Sequence, residues 1–158
     1  MGIRGIIPVV VGIIFVMILS SGCINTNSVN QQNVAPTPDV SAAGLLRSGF
    51  TAFTEGKYDT ALDYYNRSIA ADPTYAPAWT EKGNVLIRLN RTEEAISAYD
   101  SALALESGLP RVWNSRGEAL MTLGRYTEAR DSFDKALQVA PEYAKAIENR
   151  ELALTKLQ

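Results

Sequence analysis

The sequence predicts an all-α chain in which three helical hairpins stack in a row and a last helix closes the stack, behind an apolar N-terminal segment and a polar linker. Three observations predict it. Residues 42–143 repeat with a 34-residue period, in lines that begin at Ala42, Ala76 and Pro110. Residue types recur in columns: Gly49, Gly83 and Gly117; Ala61, Ala95 and Ala129; Tyr65, Tyr99 and Phe133; Ser68, Ala102 and Ala136. Each line carries a helical apolar period broken at its midpoint by Gly56, Asn90 or Gly124, residue types suited to a helix C-terminus. A fixed period of roughly 20–50 residues marks units that bury their apolar faces by stacking on their neighbours.

The first element is the segment "MGIRGIIPVVVGIIFVMILSSGC". Arg4 is followed by no charged residue from Gly5 through Asn30. The apolar core Ile6–Leu19 is shorter than the roughly 20 residues of a relaxed membrane span and suits the h-region of a signal peptide. Small residues Ser20, Ser21 and Gly22 then precede Cys23, the only cysteine among 158 residues. Ser21-Gly22-Cys23 resembles the lipobox of secreted lipoproteins, and departs from it at Ser20, where the common bacterial pattern has an aliphatic residue. The resemblance implies that residues 1–22 are a signal peptide and that Cys23 becomes the lipidated first residue of the mature chain. A lipobox-type cysteine carries a two-chain lipid, and two chains anchor stably where one holds only reversibly. The alternative is an uncleaved anchor, because Gly5 to Ile24 makes about 30 Å of helix. Both readings place the remainder at the cell membrane, on its extracytoplasmic side.

Residues 23–41 form the second element. From Ile24 the stretch "INTNSVNQQNVAPTPDVS" has no aromatic residue and one charge, Asp39. It buries too little apolar surface to offset ordering entropy, so a disordered tether is expected.

The repeats are the third element, with boundaries 42–75, 76–109 and 110–143. Small residues recur where helices approach closely, and an aromatic recurs where a larger gap is filled. These columns resemble the tetratricopeptide repeat, or TPR, whose pattern is Trp, Leu-Gly, Tyr, Ala, Phe, Ala and Pro over 34 residues. Trp79 and Trp113 fit the first position, with Leu45 in line one; Pro73 and Pro141 fit the last, with Ser107 in line two. Ser48, Lys82 and Arg116 stand where leucine is usual. The resemblance implies a right-handed α-solenoid. Residues 144–158 continue as a capping helix, with Ala146, Ile147, Leu154 and Leu157 expected on its apolar side and Glu151 in the glycine column.

In this family the first helix of each hairpin lines a concave surface, so the resemblance assigns a candidate protein-binding groove to Leu46, Phe50, Phe53, Asn84, Ile87, Arg88, Arg111, Asn114, Glu118 and Met121. Leu46, Phe50 and Phe53 follow at helical spacing and are expected to form one apolar stripe; Asn84 and Asn114, near Arg88, Arg111, Glu118 and Glu81, are expected to hydrogen-bond the backbone of an extended peptide. Some TPR domains hold C-terminal carboxylates of chaperones in a clamp of basic residues and asparagines. The matching positions here are Leu46, Phe50, Glu81, Arg111 and Ser115, of which Arg111 alone conforms.

Composition narrows the function. Net charge is −2 with both signs dispersed, so no basic stripe points to nucleic acid. With no histidine and one cysteine, the commonest general base, metal ligand and nucleophile pairings are lacking, and neither catalysis nor a cofactor or metal is expected. The carboxylate pairs Asp59/Asp63 and Asp131/Asp134 fall on second helices, which the resemblance places on the convex side, away from the groove. Asn66-Arg67-Ser68 and Asn90-Arg91-Thr92 fit the N-glycosylation acceptor. The expected function is a membrane-tethered scaffold that binds a protein or peptide through its groove; a structural or self-associating envelope protein is the alternative. The sequence leaves the oligomeric state open.

Overall fold

The structure is a computed structural model that describes residues 39–158. The signal or anchor segment, Cys23 and most of the tether lie outside the described residues. Seven α-helices follow one another: α1 (Ala42–Thr54), α2 (Tyr58–Ala71), α3 (Ala76–Arg88), α4 (Thr92–Leu105), α5 (Pro110–Thr122), α6 (Tyr126–Val139) and α7 (Ala144–Lys156). No strand occurs among the described residues. The helices pair as α1/α2, α3/α4 and α5/α6, each hairpin packs on the next, and α7 closes the row against α6 and α5.

Helix ends follow from local chemistry. Ser41 caps α1, its Oγ accepting from the Gly44 amide at 3.0 Å. Proline opens α3 and α5 near the position where its missing N–H costs nothing. The first helix of each hairpin ends in a Schellman turn. The amides of Lys57, Arg91 and Arg125 reach back to the carbonyls of Ala52, Leu86 and Leu120 at 2.9 Å, with Gly56, Asn90 and Gly124 at φ of +75°, +58° and +72°. That left-handed conformation is what Gly and Asn tolerate, which explains the midpoint residues of the three lines.

The glycine column is explained by the aromatic column. A Cβ placed on Gly49 would lie 2.5 Å from Cε1 of Tyr65, and the additions at Gly83 and Gly117 collide with Tyr99 and Phe133 in the same way. The rings of the second helices therefore rest directly on backbone of the first. Tyr65, Tyr99 and Phe133, with Ala61, Ala95 and Ala129, are fully buried or nearly so and form the spine of the core. Glu151 stands in the same column of α7 and is exposed, so no aromatic can seat there.

Trp79 and Trp113 each donate an indole N–H to a carbonyl six residues earlier, Pro73 and Ser107, both at 2.9 Å. Because the acceptor is a main-chain carbonyl, serine at position 107 serves as well as proline. Ser68 is buried and donates to the Ala42 carbonyl at 2.7 Å, tying α2 to the start of α1.

One expectation about the cap needs correcting. Ala146 and Ala153 are its buried residues and Leu154 is half-buried, whereas Ile147 and Leu157 are 39% and 44% exposed. Ile147 occupies the tryptophan column, and with no further helix after α7 among the described residues that side of α7 faces solvent. No described helix is long and apolar enough to cross a membrane.

Candidate protein-binding groove

The face built by α1, α3, α5 and α7 carries two adjoining clefts. One, of about 520 Å³, lies between α3 and α5; Thr80, Glu81, Asn84, Arg111 and Ser115 line its polar part. The other, of about 260 Å³, is bounded by Phe53, Asn84, Ile87, Arg88, Tyr99 and Glu118. Asn84 and Ser115 line both, so the two clefts adjoin. Helical spacing generates this face. Positions 80, 81, 84, 87 and 88 of α3 advance by three or four residues per turn and so point the same way.

Six of the ten residues assigned from sequence line the clefts: Phe53, Asn84, Ile87, Arg88, Arg111 and Glu118. Phe50 lies outside both but is 56% exposed, and Ile87 is 36% exposed. Leu46 and Phe53 are half-buried against the core that Ala52, Ala61, Tyr65 and Val85 form, and Phe53 stacks at a tilt on Tyr58 with centroids 5.5 Å apart. The expected stripe on α1 thus reduces to one fully presented ring, Phe50. Met121 packs against the second core cluster.

Asn114 is corrected outright: it is 1% exposed, and its Oδ1 accepts from Nδ2 of Asn149 at 3.0 Å. The reason is the cap. α7 lies against α5, and its Asn149 reaches across to both Asn114 and Glu118, the latter also at 3.0 Å. Lys145 adds an ion pair to Glu118 at 2.7 Å, which raises the lysine's pKa. Glu118 is therefore satisfied within the chain.

The middle of the groove is a hydrogen-bonded relay. The Tyr99 hydroxyl donates to Asn84 Oδ1 at 2.9 Å, and Asn84 Nδ2 donates to Glu81 Oε2 at 3.1 Å. Burial above all, and then the Glu81 carboxylate, pushes the pKa of both Tyr65 and Tyr99 upward. Tyr99 went unrecognised as a groove residue because its column reads as core; its ring is core and only its hydroxyl reaches the floor. Arg88 leans on Tyr58, donating to the hydroxyl at 3.0 Å with its guanidinium 5.5 Å from the ring centroid.

The first repeat lacks this relay. Phe50 occupies the position of Asn84, one period earlier, and the Tyr65 hydroxyl is buried without a partner.

Three of the four second-helix carboxylates pair with arginines. Asp63 pairs with Arg67 at 3.6 Å, Asp131 with Arg130 at 2.6 Å, and Asp134 with Arg150. Among the described residues no three acidic or thiol side chains cluster to hold a metal. Ser68, third residue of one glycosylation tripeptide, is buried, whereas Asn90 of the other sits exposed in its turn.

Comparison with known families agrees with this architecture. A family model described as tetratricopeptide repeat matches residues 80–146, and a second with the same description matches residues 42–75. The chain is a tetratricopeptide repeat protein. Among solved TPR structures it resembles the first TPR of Spaghetti (RPAP3) bound to the HSP90 peptide SRMEEVD, at 28% identity and a TM-score of 0.71, covering 73% of this chain and 92% of that one. The second TPR domain of human RPAP3, in complex with the HSP70 peptide SGPTIEEVD, is also 28% identical, with a TM-score of 0.68 over 71% of this chain and 93% of that one. The MamA protein shares the fold at 22% identity, with a TM-score of 0.70 over 73% of this chain and 63% of that one. No protein of curated description matches the chain.

Proposed function

We propose that this protein is a membrane-tethered, extracytoplasmic TPR scaffold that docks a segment of a partner protein in the groove of α1, α3, α5 and α7. The observation that carries the docking role is Phe50. A large aromatic residue 56% exposed on α1, the helix that also supplies Phe53 to the smaller cleft, gives up water on contact, and such rings are typical anchors of protein interfaces. The two RPAP3 domains, which bind peptides, are comparable in extent to the described residues and support a peptide-docking role. Their peptides end in an acidic stretch. At the positions that match the family's carboxylate clamp this chain offers Phe50 and Glu81, which favours a different sequence. The tether rests on the apolar segment and Cys23; confinement to a surface raises the effective concentration of groove and partner.

A photo-crosslinking residue placed at position 50 of the membrane-bound protein tests the docking role. Cross-links to a discrete partner are expected at position 50 and not at Ser97 on α4, and Ile87→Glu is expected to abolish them. Equal labelling from both positions refutes the groove. Mass spectrometry of the mature N-terminus tests the tether separately, since an intact start and an unmodified Cys23 contradict lipidation.

One observation favours the alternative of self-association: Ile147 on α7 and Leu157 just past its end are left uncovered. Sedimentation of the purified protein across a range of concentrations distinguishes it, because a scaffold of single chains shows no concentration-dependent growth.

A further inference from the structure

Most charges along the groove are answered by the chain itself. Arg47 pairs with Asp39, Glu118 with Lys145, and Arg88 with the Tyr58 hydroxyl, while Lys82 lies over the Trp79 ring at 5.4 Å from its centroid. Glu81 is the exception on α3. It is half-buried, its Oε2 is held by Asn84, and no Lys or Arg lies within ion-pair distance among the described residues. Arg111 shares the larger cleft but makes no ion pair with it.

The register of the repeat relates Phe50 to this carboxylate. In the last repeat Asn149 of α7 contacts Asn114 and Glu118 of α5. Two periods earlier the same three positions hold Glu81, Leu46 and Phe50. α3 and α1 touch as α7 and α5 do, and this shared register is the ground for pairing Glu81 with Phe50.

We infer that Glu81 and Phe50 together form a subsite for a single lysine or arginine side chain of the docked segment, an inference that rests on the groove reading above. The ring receives the alkyl stem and the cation's face, and the free carboxylate oxygen receives the charge. The chain displays each half of this recognition elsewhere, in Lys82 over Trp79, Arg88 over Tyr58, and Lys145 on Glu118. Asn84, braced by Tyr99, fixes the carboxylate and spares the bound cation the cost of ordering it. Arg111 across the cleft repels a second cation and attracts an acid or carbonyl, which gives the segment a direction: basic end toward α1, acceptor end toward α5. This is the opposite polarity to a site for an acidic terminus.

The test uses the full-length protein in detergent micelles and a library of displayed 12-residue random peptides. Selected peptides are expected to carry one basic residue at a fixed place, and acetylation of that lysine, or Glu81→Gln in the protein, is expected to weaken binding about tenfold. Gln retains a carbonyl for Asn84, so the fold is kept, and Phe50→Leu removes the ring while keeping an apolar contact. Peptides that compete at the groove, lose binding with Ile87→Glu, yet show no basic enrichment and ignore Glu81→Gln overturn this inference and leave the groove standing. Peptides that bind equally to wild type and Ile87→Glu overturn both.

Discussion

The two tyrosines of the aromatic column permit a sharp internal comparison. Tyr65 and Tyr99 occupy equivalent sites, each buried at 2% exposure or less, but the Tyr99 hydroxyl donates to Asn84 while that of Tyr65 has no partner. A buried hydroxyl without a hydrogen bond costs about 1–3 kcal/mol, whereas a made bond contributes about 0.5–1.5 kcal/mol net. Tyr65→Phe removes the unmet group and leaves the ring, so it is expected to be neutral or to stabilise by about 1 kcal/mol. Tyr99→Phe breaks a bond whose acceptor, half-buried Asn84, can turn to water, so it is expected to destabilise by about 1 kcal/mol. The twins should therefore differ by about 2 kcal/mol, roughly 6–10 °C in melting temperature for a domain of this size. Phe50→Asn supplies Tyr65 with the partner that Tyr99 has. Its effect should be more favourable in wild type than in the Tyr65→Phe background, a double-mutant coupling of about 1 kcal/mol. Urea unfolding followed by circular dichroism, with slopes checked for constancy, measures all four variants. Destabilisation by Tyr65→Phe equal to that by Tyr99→Phe, or zero coupling with Phe50→Asn, refutes the reasoning.

Three further outcomes are expected. Gly117→Ala drives a methyl into the Phe133 ring with backbone on the other side, and should destabilise by about 1–3 kcal/mol in the same urea assay. Gly124→Ala should cost about 1–2 kcal/mol, because the position has φ +72°, while Asn90→Gly should be close to neutral; comparing the two isolates backbone conformation from contacts. The raised tyrosine pKa values set an alkaline limit. Below pH 10 both folded and unfolded states keep the hydroxyls protonated; above it the unfolded state releases protons that the folded state retains, so stability falls by up to about 1.4 kcal/mol per pH unit for each tyrosine. Pairing Tyr65→Phe with Tyr99→Phe should flatten that decline, and pH-dependent unfolding between pH 9 and 12 measures it.

Much of the architecture was legible because it is periodic. The glycine, alanine and aromatic columns each record one contact made three times, and the coincidence of Gly49 with Tyr65, Gly83 with Tyr99 and Gly117 with Phe133 is a single packing rule that spacing alone displays. Gly56, Asn90 and Gly124 were equally readable, since a left-handed residue leaves its mark on the choice of amino acid. The groove was legible only as a list of columns. A column states which way a position points along its own helix, and says nothing of what the next helix places over it. Asn114 and Asn84 are both asparagines on groove-side positions, yet α7 covers one and leaves the other on the floor.

The sequence by itself determined that the chain is a stack of helical hairpins, where each helix turns, and that no histidine-based or cysteine-paired chemistry is available to it. The tertiary structure decided which polar groups remain free. Lys145 and Asn149 satisfy Glu118 from a different helix, Tyr99 reaches the groove through the core, and the last helix exposes Ile147 because nothing packs beyond it among the described residues. The physical reason is that periodicity encodes nearest-neighbour packing within a repeat, which recurs, whereas the pairing of charges and hydroxyls between repeats depends on residues that differ from line to line. Those differences, Phe50 for Asn84 above all, are where the groove acquires its own chemistry.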